Sequence, residues 1–115
     1  VAADALLAPA SWEAELANVV WKAVLWGSLA PGDAEAVLST ASLLPITGVP
    51  VRQLWLGAVM RSVIHQHPAY DGLFVELAAR EGALVASYDQ ALQRRYPDLV
   101  KPPDHFLTAD GSAKG

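Results

Sequence analysis

The sequence predicts an α/β fold in which helices flank a small parallel sheet. Segments with apolar residues at helical spacing alternate with apolar runs too short to be helices. Prolines and glycines stand at the junctions between them. The 115 residues amount to one domain, enough chain to bury roughly two thirds of its unfolded surface.

Residues 5–8 form a short apolar run stopped by Pro9, the pattern of a buried strand. Ser11 is placed to cap the helix that follows, with Glu13 and Glu15 in its first turns, where the helix dipole favours anions. This helix is expected to run to about Trp26 and to end at Gly27. Leu16, Val19, Val20, Trp21, Val24, Leu25 and Trp26 cover most of its circumference, and Glu15, Asn18 and Lys22 leave one narrow polar line. Such a helix is expected to be buried or to sit in an interface. A second helix is expected from Gly32 or Asp33 to Leu44, between Pro31 and Pro45.

Residues 46–52 read as a short strand or extended connection, and 53–65 as a helix. Another helix is expected over 69–80, between Pro68 and Gly82. A strand at 83–86, a short helix over 88–95 broken by Pro97, and an extended end over 98–107 complete the pattern. The expected organisation is one domain over 1–107 and a disordered tail over 108–115.

Composition narrows the function classes. With no cysteine, disulfides and thiolate metal sites are excluded. A net charge of -4 lacks the basic footprint of a nucleic-acid-binding domain, so any RNA contact has to be local and assisted by a cation. The hydrophobic fraction of 53% against 17% charged residues suggests apolar surface covered by a partner, or a part of the fold that is absent. The beginning of the sequence does not read as a signal peptide, and Asn18, Lys22 and Gly27 interrupt the most apolar stretch, which falls short of a membrane span. The expectation is a soluble, cytoplasmic protein with no membrane partner.

Three acids stand where α/β architecture tends to place chemistry. Glu15 opens a helix just after a strand, Asp71 lies in the first turn of a helix, and Asp89 follows the strand at 83–86 by a few residues. Ligands of open α/β sheets bind beyond the carboxyl ends of the strands. Carboxylates that converge there repel one another unless a cation neutralises them, and oxygen-only ligands point to a hard ion, Mg²⁺ or Mn²⁺. Beside this stands the ordinary reading of each acid as a helix-start charge.

The stretch LLAPASWEAELANVVWKAVLWGSL runs from a strand through an aliphatic-Pro step to an acid that opens a helix. In HPAYDGLFVELAAREGALVASYDQALQ, a Tyr-Asp pair starts a helix that leads through Gly82 to a buried strand and the turn Ser87-Tyr88-Asp89. Together with the closing DLVKPPDHFL, these segments resemble the PIN-domain family of toxin-type nucleases over residues 5–107. The family turn commonly carries Thr where Ser87 stands.

The resemblance implies a PIN-like three-layer fold and a ribonuclease with Glu15, Asp71 and Asp89 as catalytic metal ligands for Mg²⁺ or Mn²⁺. It also implies supporting roles for Asn18, one turn from Glu15, and for Ser87, which would orient a carboxylate or water. The implied partners are an RNA substrate, a cognate antitoxin protein and a second copy of the chain. The pattern departs from the family at its start. Members begin with a strand ending in Asp and then a helix, and the fourteen residues before Glu15 leave no room for that unit, so a fourth ligand and a central strand are expected to be missing.

The expected function is metal-dependent RNA cleavage within a toxin–antitoxin pair. The alternative is a catalytically incomplete, PIN-like protein-binding module. Of the remaining residues, His65 and His67, two apart, read as solvated helix-end side chains, and His105 has no partner by spacing. Trp12, Trp21, Trp26 and Trp55 are candidates for a base-stacking surface, against which Trp12 reads as core and Trp21 and Trp26 as core or interface. Arg94 and Arg95 read as a solvated helix end that, with Lys101, is also placed to meet phosphates.

Overall fold

The structure is a computed structural model that describes residues 6–106. The expected tail over 108–115 lies outside the described residues. These residues fall into two compact units, 6–49 and 50–106.

In the first unit, β1 (Leu6–Pro9) pairs in parallel with β2 (Ile46–Val49), Leu6 opposite Ile46 and Pro9 opposite Val49. The Ala10 amide donates to the Val49 carbonyl at 2.7 Å and extends the ladder by one step. Parallel neighbours need a crossover between them. Here it is α1 (Trp12–Leu25), a 3-10 turn at Pro31–Asp33 and α2 (Ala34–Ser42). Gly27, at φ +80°, takes the left-handed conformation that closes the end of α1.

Three expectations for this unit are corrected. Ser11 does not cap α1: its backbone is already helical, and its hydroxyl donates to the Glu15 carboxylate at 2.7 Å instead. The strand is buried only at Ala8 and Pro9, while Leu6 and Leu7 remain exposed. Only Val20 of α1 is buried, and the exposure of Trp21 and Trp26 overturns the core alternative for them while leaving the interface one standing. Two four-residue strands and a nine-residue helix offer too little surface to cover a fourteen-residue helix all round. Trp12 is half-buried beside Glu13, Leu16, Leu38, Ala41 and Ser42.

In the second unit a 3-10 turn at Val51–Gln53 delays α3 to Trp55–His65. Gln66 ends that helix in the left-handed conformation at φ 56°, with its amide donating to the Ser62 carbonyl. After Pro68, α4 runs over Ala69–Glu81 and stops at Gly82, left-handed at φ 62°. β3 (Val85–Ala86) pairs in parallel with β4 (Val100–Lys101), and α5 (Gln90–Arg95) makes the crossover. A 3-10 turn at Pro103–Phe106 replaces the expected extended end.

α3 and α4 form the principal helix pair of this unit. Their backbones approach closely where buried Gly72 lies over Ala58. Further along the contact, Glu76 accepts from Arg61 Nε at 2.9 Å and from Arg80 Nε at 2.6 Å, joining the two helices through one carboxylate. The core is formed by Val75, Leu92, Tyr96 and Val100, with Val85 and Leu99 packed against it. Burying an aliphatic side chain such as Val75 stabilises by roughly 1.5–3 kcal/mol, which is what holds α5 and the short β3–β4 pair against α4.

The α/β class and the parallel pairing agree with expectation, but the strands form two separate two-stranded sheets instead of one. Apolar runs mark where strands are; they do not name which strand pairs with which.

Candidate functional site

Asp71 and Asp89 both belong to the second unit and are positioned by different local devices. Asp71 sits in the first turn of α4, where Pro68 precedes the helix and its carbonyl accepts the Asp71 amide at 3.1 Å. Asp89 sits beyond the carboxyl end of β3. The Ser87 amide carries the strand ladder one residue further by donating to the Lys101 carbonyl at 3.0 Å. The chain then turns, and Asp89 becomes the cap of α5, its Oδ1 accepting the Leu92 amide at 3.1 Å. A cap of this kind stabilises a helix by about 1 kcal/mol.

Ser87 does not orient a carboxylate directly. Its hydroxyl accepts the Asp89 amide at 3.1 Å, and its carbonyl accepts from Gln93 Nε2 at 2.7 Å. It therefore fixes the backbone that carries Asp89, because a short hydroxyl two residues upstream reaches the amide before it reaches the carboxyl.

The two acids interact. Partial burial, and then the negative charge of Asp89, push the Asp71 carboxyl above its usual range against the opposing charges of His67 and Arg95. Among the described residues of this unit, no third His, Asp or Glu completes a metal-holding group with this pair. Glu15 and Asn18 belong to the first unit, where Glu15 is half-buried under its hydrogen bond from Ser11 and Asn18 is exposed on α1.

His67 is not a solvated helix-end residue. It is 8% exposed, and the Tyr96 hydroxyl lies 2.6 Å from its Nε2. Its Nδ1 lies 3.0 Å from the Pro68 carbonyl, which can only accept, so Nδ1 carries a proton and Nε2 is the atom that pairs with the Tyr96 hydroxyl. The His65 ring lies parallel to His67 with centroids 6.4 Å apart and meets Tyr96 edge-on at 4.8 Å. The left-handed turn at Gln66 sends His67 inward, and spacing rules drawn for a continuing helix miss it. The available signal was a polar residue immediately before a helix-starting proline, with a tyrosine placed similarly before Pro97.

Between α3 and the start of α4 lies an apolar groove of about 310 Å³ lined by Trp55, Ala58, Val59, Pro68, Tyr70 and Leu73. Trp55 is an exposed aromatic, with the Arg52 guanidinium 5.6 Å from the centre of its ring. Arg94 and Arg95 are exposed in the last turn of α5. Among the described residues no helix is long and apolar enough to cross a membrane.

Comparison with known proteins finds no family model and no curated protein that matches the chain.

Proposed function

We propose that this chain is a PIN-like, metal-dependent endoribonuclease of toxin type, with Asp71 and Asp89 at the centre of its cation site. The observation that carries the reading is the placement of two carboxylates in one unit, Asp89 beyond the carboxyl end of a parallel strand and Asp71 in the first turn of α4, where burial and the Asp89 charge raise the Asp71 carboxyl. A folded chain that holds like charges together destabilises itself unless a ligand offsets the repulsion. The pair fits Mg²⁺ or Mn²⁺: both donors are hard oxygens, and Mg²⁺ is commonly held by one or two protein carboxylates with water and substrate phosphate completing its shell. When bound, such an ion supplies charge neutralisation and a more acidic water for attack on an RNA phosphodiester.

Each side chain then has a defined task. Asp71, the more buried of the two, and Asp89 bind the cation. Ser87 holds the Asp89 backbone through its hydroxyl. Arg95, whose charge already reaches Asp71, is placed to meet phosphate oxygens.

Mn²⁺ titration followed by electron paramagnetic resonance tests the site. The 115-residue chain is expected to bind the ion, and Asp71→Asn or Asp89→Asn to abolish binding while leaving the helical circular dichroism unchanged. Binding that survives both substitutions refutes the assignment.

A second reading is a protein-binding module without catalysis, meeting an antitoxin or a second copy. It is favoured by the exposed apolar stripe of Leu56, Val59, Met60, Val63 and Ile64 along α3. RNA cleavage that requires Mn²⁺ separates the two readings.

A further inference from the structure

His67 and Tyr96 are buried polar residues that the cation chemistry above does not use, and together they join the two elements that carry its acids. His67 stands immediately before Pro68, the residue that starts α4, and Asp71 follows one helical turn later. Tyr96 closes the end of α5, and Asp89 caps the start of that same helix. α5 is six residues long, so its two ends move together as one rigid turn and a half. A hydrogen bond between His67 and Tyr96 therefore sets where the Asp89 end of α5 stands relative to the first turn of α4.

The bond is well made. The Tyr96 oxygen and His67 Nε2 are 2.6 Å apart and both residues are buried, at 6% and 8% exposure. Burial raises the Tyr96 phenol above its ordinary value, against the nearby Arg61 and Arg95 charges, so the hydroxyl keeps its proton throughout the physiological range. His67 is held at its other nitrogen by the Pro68 carbonyl at 3.0 Å, with the Ser62 hydroxyl 3.4 Å away. The Tyr96 ring is further gripped from α3 by His65 at 4.8 Å and by the Arg61 guanidinium at 5.8 Å from its centre. Three helices thus converge on one polar contact inside an otherwise apolar core.

We propose that the His67–Tyr96 hydrogen bond is a brace that fixes the relative placement of the Asp71 and Asp89 carboxylates, making His67 and Tyr96 positioning residues of the cation site. The cation part rests on the function proposed above; the brace itself rests on the geometry of α4 and α5.

Tyr96→Phe removes the hydroxyl and keeps the ring in the core. His67→Gln keeps an amide that can accept from Tyr96, whereas His67→Ala removes the partner. Two readouts separate the claims. The first needs no metal: exchange of the Leu92 amide, which reports the Asp89 cap, is expected to quicken roughly tenfold in Tyr96→Phe and His67→Ala and to stay near wild type in His67→Gln. The second is Mn²⁺ affinity, expected to weaken roughly tenfold or more in the first two variants, as for partners that orient metal ligands. His67→Gln is again expected to stay near wild type. Leu77→Ala, a buried cavity substitution elsewhere on α4, is expected to lower Tm without changing Mn²⁺ affinity. Unchanged exchange at Leu92 in both Tyr96→Phe and His67→Ala overturns the brace, whatever the metal result. An exchange response in a wild-type chain that binds no Mn²⁺ upholds the brace and overturns the cation site. If Leu77→Ala weakens Mn²⁺ as much as Tyr96→Phe does, general loosening explains the effect and the positioning role fails.

Discussion

Gly72→Ala is expected to destabilise the protein even though alanine is the better helix former. Gly72 lies inside α4, one residue after Asp71, where the helix crosses α3. A Cβ placed there would stand 2.6 Å from the Ala58 carbonyl oxygen and 3.0 Å from Ala58 Cα. Ordinary contact begins at 3.4 Å, so the helices would have to part by 3.4 − 2.6 = 0.8 Å, and the obstacle is backbone that no rotamer change can move. Overpacking of this kind costs about 1–3 kcal/mol, and a backbone obstacle places the cost at the upper end. Exchanging glycine for alanine in a helix interior returns about 1 kcal/mol. The net loss is roughly 1–2 kcal/mol, or a fall in Tm of about 4–8 °C for a chain of this size. Thermal unfolding followed by circular dichroism and calorimetry measures it. Gly32→Ala, where an added Cβ meets nothing within 4 Å, is the control and is expected to shift Tm little. A Gly72→Ala protein as stable as wild type, or more so, would refute the close-crossing argument.

Two further predictions concern charge. Burial and Asp89 raise the Asp71 carboxyl, so its ionised form costs the folded state stability, and Asp71→Asn is expected to raise Tm at neutral pH without added metal. That advantage should shrink as pH falls through the raised folded value and vanish below the ordinary value of 3.8; a lower Tm for Asp71→Asn at pH 7 would contradict it. Burial opposes ionisation of Glu76, but the hydrogen bonds from Arg61 and Arg80 outweigh it and hold the carboxyl below its ordinary value of 4.5. Glu76→Gln is therefore expected to cost about 1–2 kcal/mol at neutral pH, a range kept modest because Arg80 is half exposed. The difference from wild type should persist down to about pH 4.5 and close as pH falls through the lowered folded value; urea unfolding at a series of pH values tests this.

Glycine, proline and apolar periodicity marked nearly every helix. Gly27 and Gly82 end α1 and α4 in the left-handed conformation that their sequence positions suggest, and Pro68 starts α4 where expected. Asp71 at a helix start and Asp89 after a strand were likewise legible, because both follow from chain-local rules. The role of Ser87 was only half legible: the presence of a hydroxyl could be read, but its choice of the Asp89 amide over a carboxyl depends on the turn it occupies.

What the sequence alone determined is the set of local elements, the α/β class and the presence of acids at element ends. Each of these depends on residues within a few positions of one another, where backbone sterics and hydrogen-bonding rules act directly. The tertiary structure alone decided the division of the strands into two pairs, the exposure of α1, the close crossing at Gly72 and the burial of His67 against Tyr96. His67 and Tyr96 are separated by 29 positions. A contact over that separation exists because α4, α5 and the β3–β4 pair pack around Val75 and Val100, and no local pattern encodes which polar group that packing will enclose.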